Sequence, residues 1–437
     1  MGATIIGGGY SIGAVGKTYE WGVLMILVSM AGYLHFLFSG LVVAPRFREA
    51  ELYTVAGYFG HRFGERPRFI VLVVSLLFSV FIVAAQMAAF GSVLSTLMPN
   101  FADNLEVIRW AIVIGGAMVV IYSTAGGLLA VIYTDIFQFV VLFIGFAVTA
   151  WLCLPDLGAG WEATRAALPA DFLHPHGGKG WLFLTTTFLA FLFGETFAPG
   201  YATRYCIGRS IRDTKIGIAG VGGFLALTFP VIIFAIAVYA RANYPDIEAQ
   251  QSLPMVVQRL NNPLVGSLLI AALLSAVMSS ADSALNSATA IFTKDLFEHQ
   301  LGWRDTGDGR LLRLARWWSA GLGVTATVIA VIWPDIIGLL LFTYHIWAPA
   351  VIVPVVVGVL SKERSPALTR TVFVTMLVAI SGTFAYRATP PSATFDPAVF
   401  GVLLATLVFS VLRFADRRCA RQRGSGGRSP AGPRRED

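Results

Sequence analysis

The sequence predicts an all-α polytopic membrane protein, from its composition and from the length of its apolar runs. Of the 437 residues, 56% are hydrophobic and only 13% are charged, and the mean hydropathy is +0.71. This composition excludes an ordinary soluble globular domain. A helix rises about 1.5 Å per residue, so about 20 apolar residues cross the roughly 30 Å of hydrocarbon in a bilayer. Eleven runs meet this requirement, near residues 20–44, 69–97, 107–124, 128–153, 181–199, 216–240, 263–291, 314–333, 335–360, 368–386 and 397–414.

The segment before these runs, MGATIIGGGYSIGAV (1–15), is apolar but too short for a full crossing. It also carries three consecutive glycines, so we expect half a helix here and a connection near residues 16–19. Within it, GYSIG (9–13) fits the G-x-S-x-G pattern of hydrolases, but no strand precedes it and no acid or histidine partner is implied. We therefore expect a protein that is not an enzyme.

Basic residues predict the orientation, because Lys and Arg near the ends of spans are retained in the cytoplasm. One set of alternate connections holds 25 Lys and Arg residues, and the opposite set holds seven. The richer set consists of residues 45–68, 200–215, 292–316, 361–370 and the tail from 413. We therefore expect a membrane domain over residues 1–414 and a basic, disordered cytoplasmic tail over 415–437. A plasma membrane of the bacterial inner type fits this arrangement.

The cysteines and histidines do not predict a cofactor. Three cysteines (Cys153, Cys206 and Cys419) and six histidines lie without the spacing of a metal site or a disulfide framework. We expect no organic cofactor and no nucleic-acid partner, and the apolar composition makes the lipid bilayer an expected partner.

A polar stripe interrupts the aliphatic run at 263–291. A charged side chain at the centre of a membrane helix costs roughly 2.5–3.5 kcal/mol on insertion scales, so such residues are rarely idle. At helical spacing these side chains share one face, which predicts that they face a neighbouring helix and not lipid. The stripe consists of Ser275, Ser279, Asp282, Ser283 and Asn286, with Ser280 beside it.

Neutral oxygens on this helix suit a small alkali cation. The hydroxyls of Ser279 and Ser280, with the backbone carbonyl of Ala276 one turn earlier, would present three hard oxygen ligands. The alternative is structural, because serines in membrane helices also bond back to the preceding turn or permit close packing.

Two further acidic residues lie at or within predicted spans. Asp135 begins the 128–153 span, where it is either a solvated residue favoured by the helix dipole or part of an ion path. Glu195 lies inside the 181–199 span, between Gly194 and Pro199, which indicates a locally broken helix that lines a cavity. A structural ion pair is the alternative for Glu195.

Three segments, in order along the chain, resemble the sodium:solute symporter family, which includes sodium-coupled carriers of glucose, proline and pantothenate. The similarity runs from about residue 3 to residue 360. The segments are YSTAGGLLAVIYTDIFQ (122–138), YATRYCIGRSIRDTK (201–215) and AALLSAVMSSADSALNSATAIFTKDLF (271–297).

The resemblance implies a leucine-transporter-like core, an inverted five-plus-five helix repeat, with extra C-terminal helices. In relatives, the residues equivalent to 2–16 form the second half of the first core helix, and preceding residues supply two carbonyls to the sodium site. We therefore expect the first core helix to be truncated here.

The resemblance also implies site residues. The main sodium site would use the Ala276 carbonyl and the hydroxyls of Ser279 and Ser280. A second cation or proton site, found in some members, would combine Asp135, Ser279, Asp282 and Ser283, and Asp282 departs from members that have serine there. Glu195 lies in the sixth core helix, which contributes to substrate binding in the family.

The implied function is sodium-coupled uptake of a small organic solute by alternating access, with Na⁺ as the coupling ion. Two alternatives stay open. In the first alternative, the chain is a proton-coupled carrier on the same fold, and Asp135, Glu195 or Asp282 relays the proton. In the second, it is a cation channel or a sensor-like relative.

Overall fold

The computed structural model describes residues 2–49, 54–97, 105–125, 128–205, 210–260, 262–303 and 308–425, and within these ranges it contains helices and no strand. The α-helices are α1 (Gly2–Ile5), α2 (Ala14–Trp21), α3 (Val23–Phe38), α4 (Ala44–Glu49), α5 (Val55–Phe63), α6 (Glu65–Thr96), α7 (Leu105–Ala125), α8 (Leu128–Ala159), α9 (Trp161–Ala167), α10 (Trp181–Glu195), α11 (Pro199–Tyr205), α12 (Ile211–Asn243), α13 (Ser252–Leu260), α14 (Pro263–Ile291), α15 (Asp308–Ile332), α16 (Ile336–Leu360), α17 (Pro366–Arg387) and α18 (Pro397–Ser425). Single turns of π-helix cover Gly9–Gly13 and Ser39–Val43, and a longer one covers Phe292–Gln300.

Each of the eleven predicted spans is helical along most of its length. Within the described ranges, nine helical segments are long and apolar enough to cross a membrane. The segments Leu105–Ala125 and Trp181–Glu195 are helical as well. The prediction of a multi-pass all-α membrane protein is confirmed.

The first predicted span begins later than expected. The connection predicted near 16–19 is helical, and the chain breaks instead at Gly22, between α2 and α3, where φ is 61°. A Cβ at Gly22 would lie 1.8 Å from the carbonyl oxygen of Phe172, which accepts a hydrogen bond from Val23 N–H. Only glycine combines a positive φ with such a close backbone approach.

The last helix continues through residue 425, beyond the predicted boundary at 414. Its extension is rich in Arg, Ala and Gln, which are good helix formers. Thr371 of α17 also donates a hydrogen bond to the Asp416 carboxylate at 2.9 Å, which holds this part against the bundle. Residues 426–437, the rest of the predicted tail, lie outside the described ranges.

The packing places α6, α14 and α16 in the middle of the bundle. The long helix α6 packs against α14, α16, α7 and α15. In the most apolar 18-residue stretch of α16, 83% of the residues are buried, whereas in that of α18 only 28% are buried. Polar side chains on the faces of α14 and α16 that pack against α6 therefore lie inside the protein and not against lipid, as the cost of burying polar groups in hydrocarbon requires.

Candidate functional site

A short irregular stretch, Ile6–Gly8, separates α1 from the π-helical turn at Gly9–Gly13 and lies against α6 and α14. A Cβ at Gly7 would lie 2.4 Å from the Ser280 hydroxyl oxygen, so only glycine permits this approach of backbone to helix. The N–H of Gly8 donates to Oε1 of Gln86 at 2.7 Å. A side-chain amide of α6 thus satisfies a backbone group of the interrupted segment, as a bilayer interior demands.

The predicted polar stripe of α14 faces the interior. Ala276, Ser279 and Ser280 have exposed fractions of 0%, 4% and 4%, and Ser283 is also buried. Ser275 differs, because its hydroxyl donates to the Ala271 carbonyl at 2.8 Å on the outer side of the helix. The structural alternative therefore describes Ser275. Ser279 and Ser280 lie inside the protein beside the irregular stretch.

The Ala276 carbonyl belongs to a continuous helix, since α14 is unbroken from Pro263 to Ile291. One of its lone pairs takes the helical hydrogen bond, and the second lone pair is the one that could coordinate an ion. A carbonyl of this kind and two hydroxyls form a neutral ligand set, which matches the low charge of an alkali cation.

Asp282 and Ser283 have polar partners from other helices. The Asp282 carboxylate accepts hydrogen bonds from the Ser123 hydroxyl and, at 3.2 Å, from the Asn286 amide. The Arg204 guanidinium donates to the Ser283 hydroxyl at 2.6 Å. These contacts bring α7, α11 and α14 together on one side of the polar stripe. The side chain of Asp135, the third predicted member of this group, lies outside the described part of the structure.

Glu195 ends α10, and the chain leaves helical geometry over Thr196–Ala198 before α11 begins at Pro199. Phe197 has a φ of 63°, an uncommon value for a residue with a Cβ. The Trp347 indole N–H donates to the Thr196 carbonyl at 2.9 Å and satisfies a group that the break releases. The predicted broken helix around Glu195 is confirmed.

Tyrosine side chains surround the Glu195 carboxylate, which is 3% exposed. The Tyr344 hydroxyl donates to Glu195 Oε1 at 2.5 Å, and Tyr201 lies in the wall of the same cavity as Glu195. The Tyr10 ring lies in the same cluster, 5.2 Å from the ring of Tyr33 between centroids. Within the described residues, no Lys or Arg forms an ion pair with Glu195, so the structure does not support the alternative of a structural ion pair.

One cavity of about 60 Å³ joins the two halves of the site. A cavity of this size can hold an ion and a few water molecules. Its wall brings the interrupted segments, Ser280 and Glu195 together. The polar and aromatic members of the wall are Tyr10, Phe78, Ser79, Gln86, Glu195, Tyr201 and Ser280.

Sequence reasoning did not find Tyr10, Gln86, Tyr201 or Tyr344. Gln86 carried a usable signal, because it is a lone amide among small apolar residues in VAAQMAAFG (83–91). The tyrosines carried none, since an aromatic residue in an apolar span is ordinarily a packing residue.

Comparison with known families and proteins agrees with this geometry. The model of the sodium:solute symporter family matches residues 1–367. The high-affinity choline transporter 1 of Drosophila melanogaster is 28% identical over 352 residues, which cover 78% of this chain and 55% of that protein. The sodium/glucose cotransporter of Vibrio parahaemolyticus is 26% identical over 361 residues, covering 75% and 62%. The chain therefore spans about three fifths of the length of these relatives.

Two solved structures share the fold. A Na⁺-coupled sialic acid symporter has a TM-score of 0.74 and 20% identity, over 94% of this chain and 87% of that one. Mhp1, a nucleobase-cation-symport-1 family transporter, has a TM-score of 0.53 and 13% identity, over 94% and 91%. These similarities confirm the inverted-repeat, leucine-transporter-like fold.

Substitution of Gln86 by Leu should destabilise the interrupted segment, because the buried Gly8 N–H loses its acceptor. An unsatisfied buried donor costs about 1–3 kcal/mol. We expect a lower thermal midpoint for the purified protein with Gln86→Leu and a smaller change with Gln86→Glu, which keeps an acceptor oxygen. Equal midpoints for Gln86→Leu and the unmodified protein would contradict this role.

Proposed function

Because the chain belongs to the sodium:solute symporter family, we propose that it couples inward movement of sodium to the uptake of a small organic solute by alternating access. The single observation that carries the proposal is the cavity shared by Ser280 and Glu195 at the interrupted helices. An ion and a solute that bind to one cavity wall can each favour the conformation that the other requires. One charge that crosses 100 mV supplies about 2.3 kcal/mol for this coupling, before any concentration term.

We propose that sodium binds to the Ala276 carbonyl and the hydroxyls of Ser279 and Ser280. The support is their burial on one face of α14 and the close approach of the Gly7 backbone to Ser280. Sodium is then cargo and coupling ion together, and the proposal requires no organic cofactor and no nucleic acid.

The proposed solute carries a positive charge. Glu195 is buried among the rings of Tyr10, Tyr201 and Tyr344, and aromatic faces with a carboxylate attract organic cations. A buried carboxylate is costly without a counter-charge, and a cationic solute would supply it. Relatives named as choline transporters make a quaternary ammonium compound the first one to test.

We further propose a second cation or proton site at Asp282 and Ser283, with Asp135 as its third member. Arg204 donates to Ser283 in this conformation, so an ion that binds there must displace the guanidinium. The site would therefore fill only when α11 moves relative to α14. The Asp282 carboxylate can bind a sodium ion or a proton, so proton coupling is the alternative at this site.

The proposed location is the bacterial inner membrane with the C-terminus in the cytoplasm. The bias of 25 against seven basic residues between the two sets of connections supports this orientation. A cysteine introduced near residue 425 should then not react with an impermeant thiol reagent in intact cells. Labelling of this cysteine from outside the cell would contradict the proposed orientation.

Substitution of Ser279 or Ser280 by Ala should raise the sodium concentration for half-maximal uptake by about tenfold or more, because one of three proposed protein ligands is lost. The measurement is uptake of radiolabelled solute into vesicles over a sodium series. The matched control is Ser275→Ala on the same helix, which should leave the sodium dependence unchanged. Equal effects in all three variants would contradict the proposed sodium site.

Asp282→Asn should lower the Hill coefficient for sodium towards one if the carboxylate completes a second sodium site. If the site binds a proton, the variant should instead lose the response of uptake to an imposed pH gradient. Both quantities are measured in the same vesicles. If both the Hill coefficient and the response to the pH gradient are unchanged in Asp282→Asn, the proposed second site is contradicted.

Glu195→Gln should lower the affinity for a cationic solute by about tenfold or more, because the carboxylate charge is lost while the shape is kept. We would use choline as the first probe, with glucose and proline as uncharged and zwitterionic comparisons, and measure binding to the purified protein in sodium. Thr186→Ser on the same helix is the control, as it keeps a hydroxyl distant from the cluster. Choline binding that is unaffected by Glu195→Gln would contradict the assignment.

A further inference from the structure

A second cavity, of about 760 Å³, lies between the α5–α6 connection and the start of α17. It is separate from the proposed transport site, and it lies on the side of the membrane that carries most of the basic residues. Its charged wall residues are His61, Arg62, Glu65, Arg66, Arg364 and Arg370.

Four guanidinium groups and one carboxylate make this cavity strongly positive. Arg62 is a fixed part of the wall, because it donates to the carbonyls of Gly358 at 3.3 Å and Glu363 at 2.5 Å. The Glu65 carboxylate is engaged with His299 at 3.0 Å. The Arg370 guanidinium lies 3.4 Å from the Asp416 carboxylate, and the other two guanidinium groups, those of Arg66 and Arg364, are exposed.

Arg66 and Arg364 are available to bind an anion. Across the described ranges, neither residue forms an ion pair or a side-chain hydrogen bond. Arginine presents planar donors that match the oxygens of a phosphate, and more than one arginine around a cavity can bind the same group. The N-terminus of α17, a helix of 22 residues, opens on the same cavity and adds a favourable dipole.

An exposed apolar row descends from the cavity along α6. Phe69, Val73 and Leu77 have exposed fractions of 50%, 39% and 43%, and their spacing places them on the face of α6 that carries Arg66. A second row lies on α17, where Phe373 and the exposed Leu377 follow Arg370 at helical spacing. The helices α6 and α17 are in contact, and each row begins at an arginine of the cavity wall, Arg66 or Arg370.

We propose that this cavity binds the phosphate of an anionic phospholipid, whose acyl chains lie along the two apolar rows. The cationic wall recognises the headgroup, and the rows distinguish a lipid from free phosphate. Basic pockets between helices on the cytoplasmic side of membrane proteins are suited to such headgroups. A bound lipid would join α6, in the middle of the bundle, to α17 at its periphery.

The test measures binding of phosphatidylglycerol and phosphatidylcholine to the purified full-length protein in a neutral detergent, by native mass spectrometry over a lipid series. A basic side chain near an anionic lipid surface contributes about fivefold in affinity, so the double variant R66Q/R364Q should bind phosphatidylglycerol about 25-fold more weakly. The matched control R212Q/R310Q removes two exposed arginines on the same side of the membrane and should change binding by less than about twofold.

Two further arms make the outcome decisive. The double variant R66K/R364K keeps the charges but loses the planar donors, so we expect a smaller loss of binding than for R66Q/R364Q; a loss as large as that of R66Q/R364Q would overturn the proposal that the positive charge of this cavity holds the headgroup. Inorganic phosphate at about 10 mM should not displace the lipid, and full displacement would assign the cavity to free phosphate. Equal affinity for phosphatidylcholine, or equal loss in R212Q/R310Q, would also overturn it.

Discussion

A helix can be interrupted inside a bilayer only if the backbone groups that it releases find partners within the protein. This constraint explains the construction of the candidate site. The Gly8 N–H is bound by the Gln86 amide, and the Thr196 carbonyl is bound by the Trp347 indole. Each partner comes from a long, continuous helix, α6 or α16, that runs through the middle of the bundle. Unbroken helices thus hold two broken ones in place, and the cavity lies where the four meet.

The two halves of this cavity differ in charge, and the difference suits two kinds of cargo. The α14 side presents neutral oxygens, whereas the opposite side presents the Glu195 carboxylate among tyrosine rings. A small alkali ion and an organic cation would each find the more suitable side without competition for one ligand set. The two groups also come from different helices, so movement of one helix set against the other would change both environments at once. Such a geometry is what coupled binding requires, because an ion can shift a conformational equilibrium only by its differential affinity for the two states.

Polar contacts at the edge of the site use the residues that the proposed ions and solute would bind. The α11 guanidinium of Arg204 holds Ser283 of α14, and the Tyr344 hydroxyl holds Glu195. The Arg204–Ser283 bond connects the short helix α11, beyond the break, to α14, and the Tyr344–Glu195 bond connects α16 to the end of α10. A movement of α11 would exchange the first of these contacts. The proposed ions and solute would compete with these hydrogen bonds for one set of polar groups.

The sequence by itself determined the membrane class, nearly all the helices and the inward polar stripe of α14. Apolar length and helical periodicity are local properties, so a single segment contains all that is needed to predict them. The break at Glu195 was also predictable, because Gly194, Pro199 and a buried acid lie close together in the chain. Local patterns placed two boundaries wrongly, since the contact between Gly22 and Phe172 and the anchoring of Asp416 by Thr371 are tertiary contacts. Only the tertiary structure decided which side chains surround Glu195 and which amide holds Gly8. Tyr10, Tyr201 and Tyr344 come from three distant segments, and Gln86 lies 78 residues from its partner, so no local pattern carries that information.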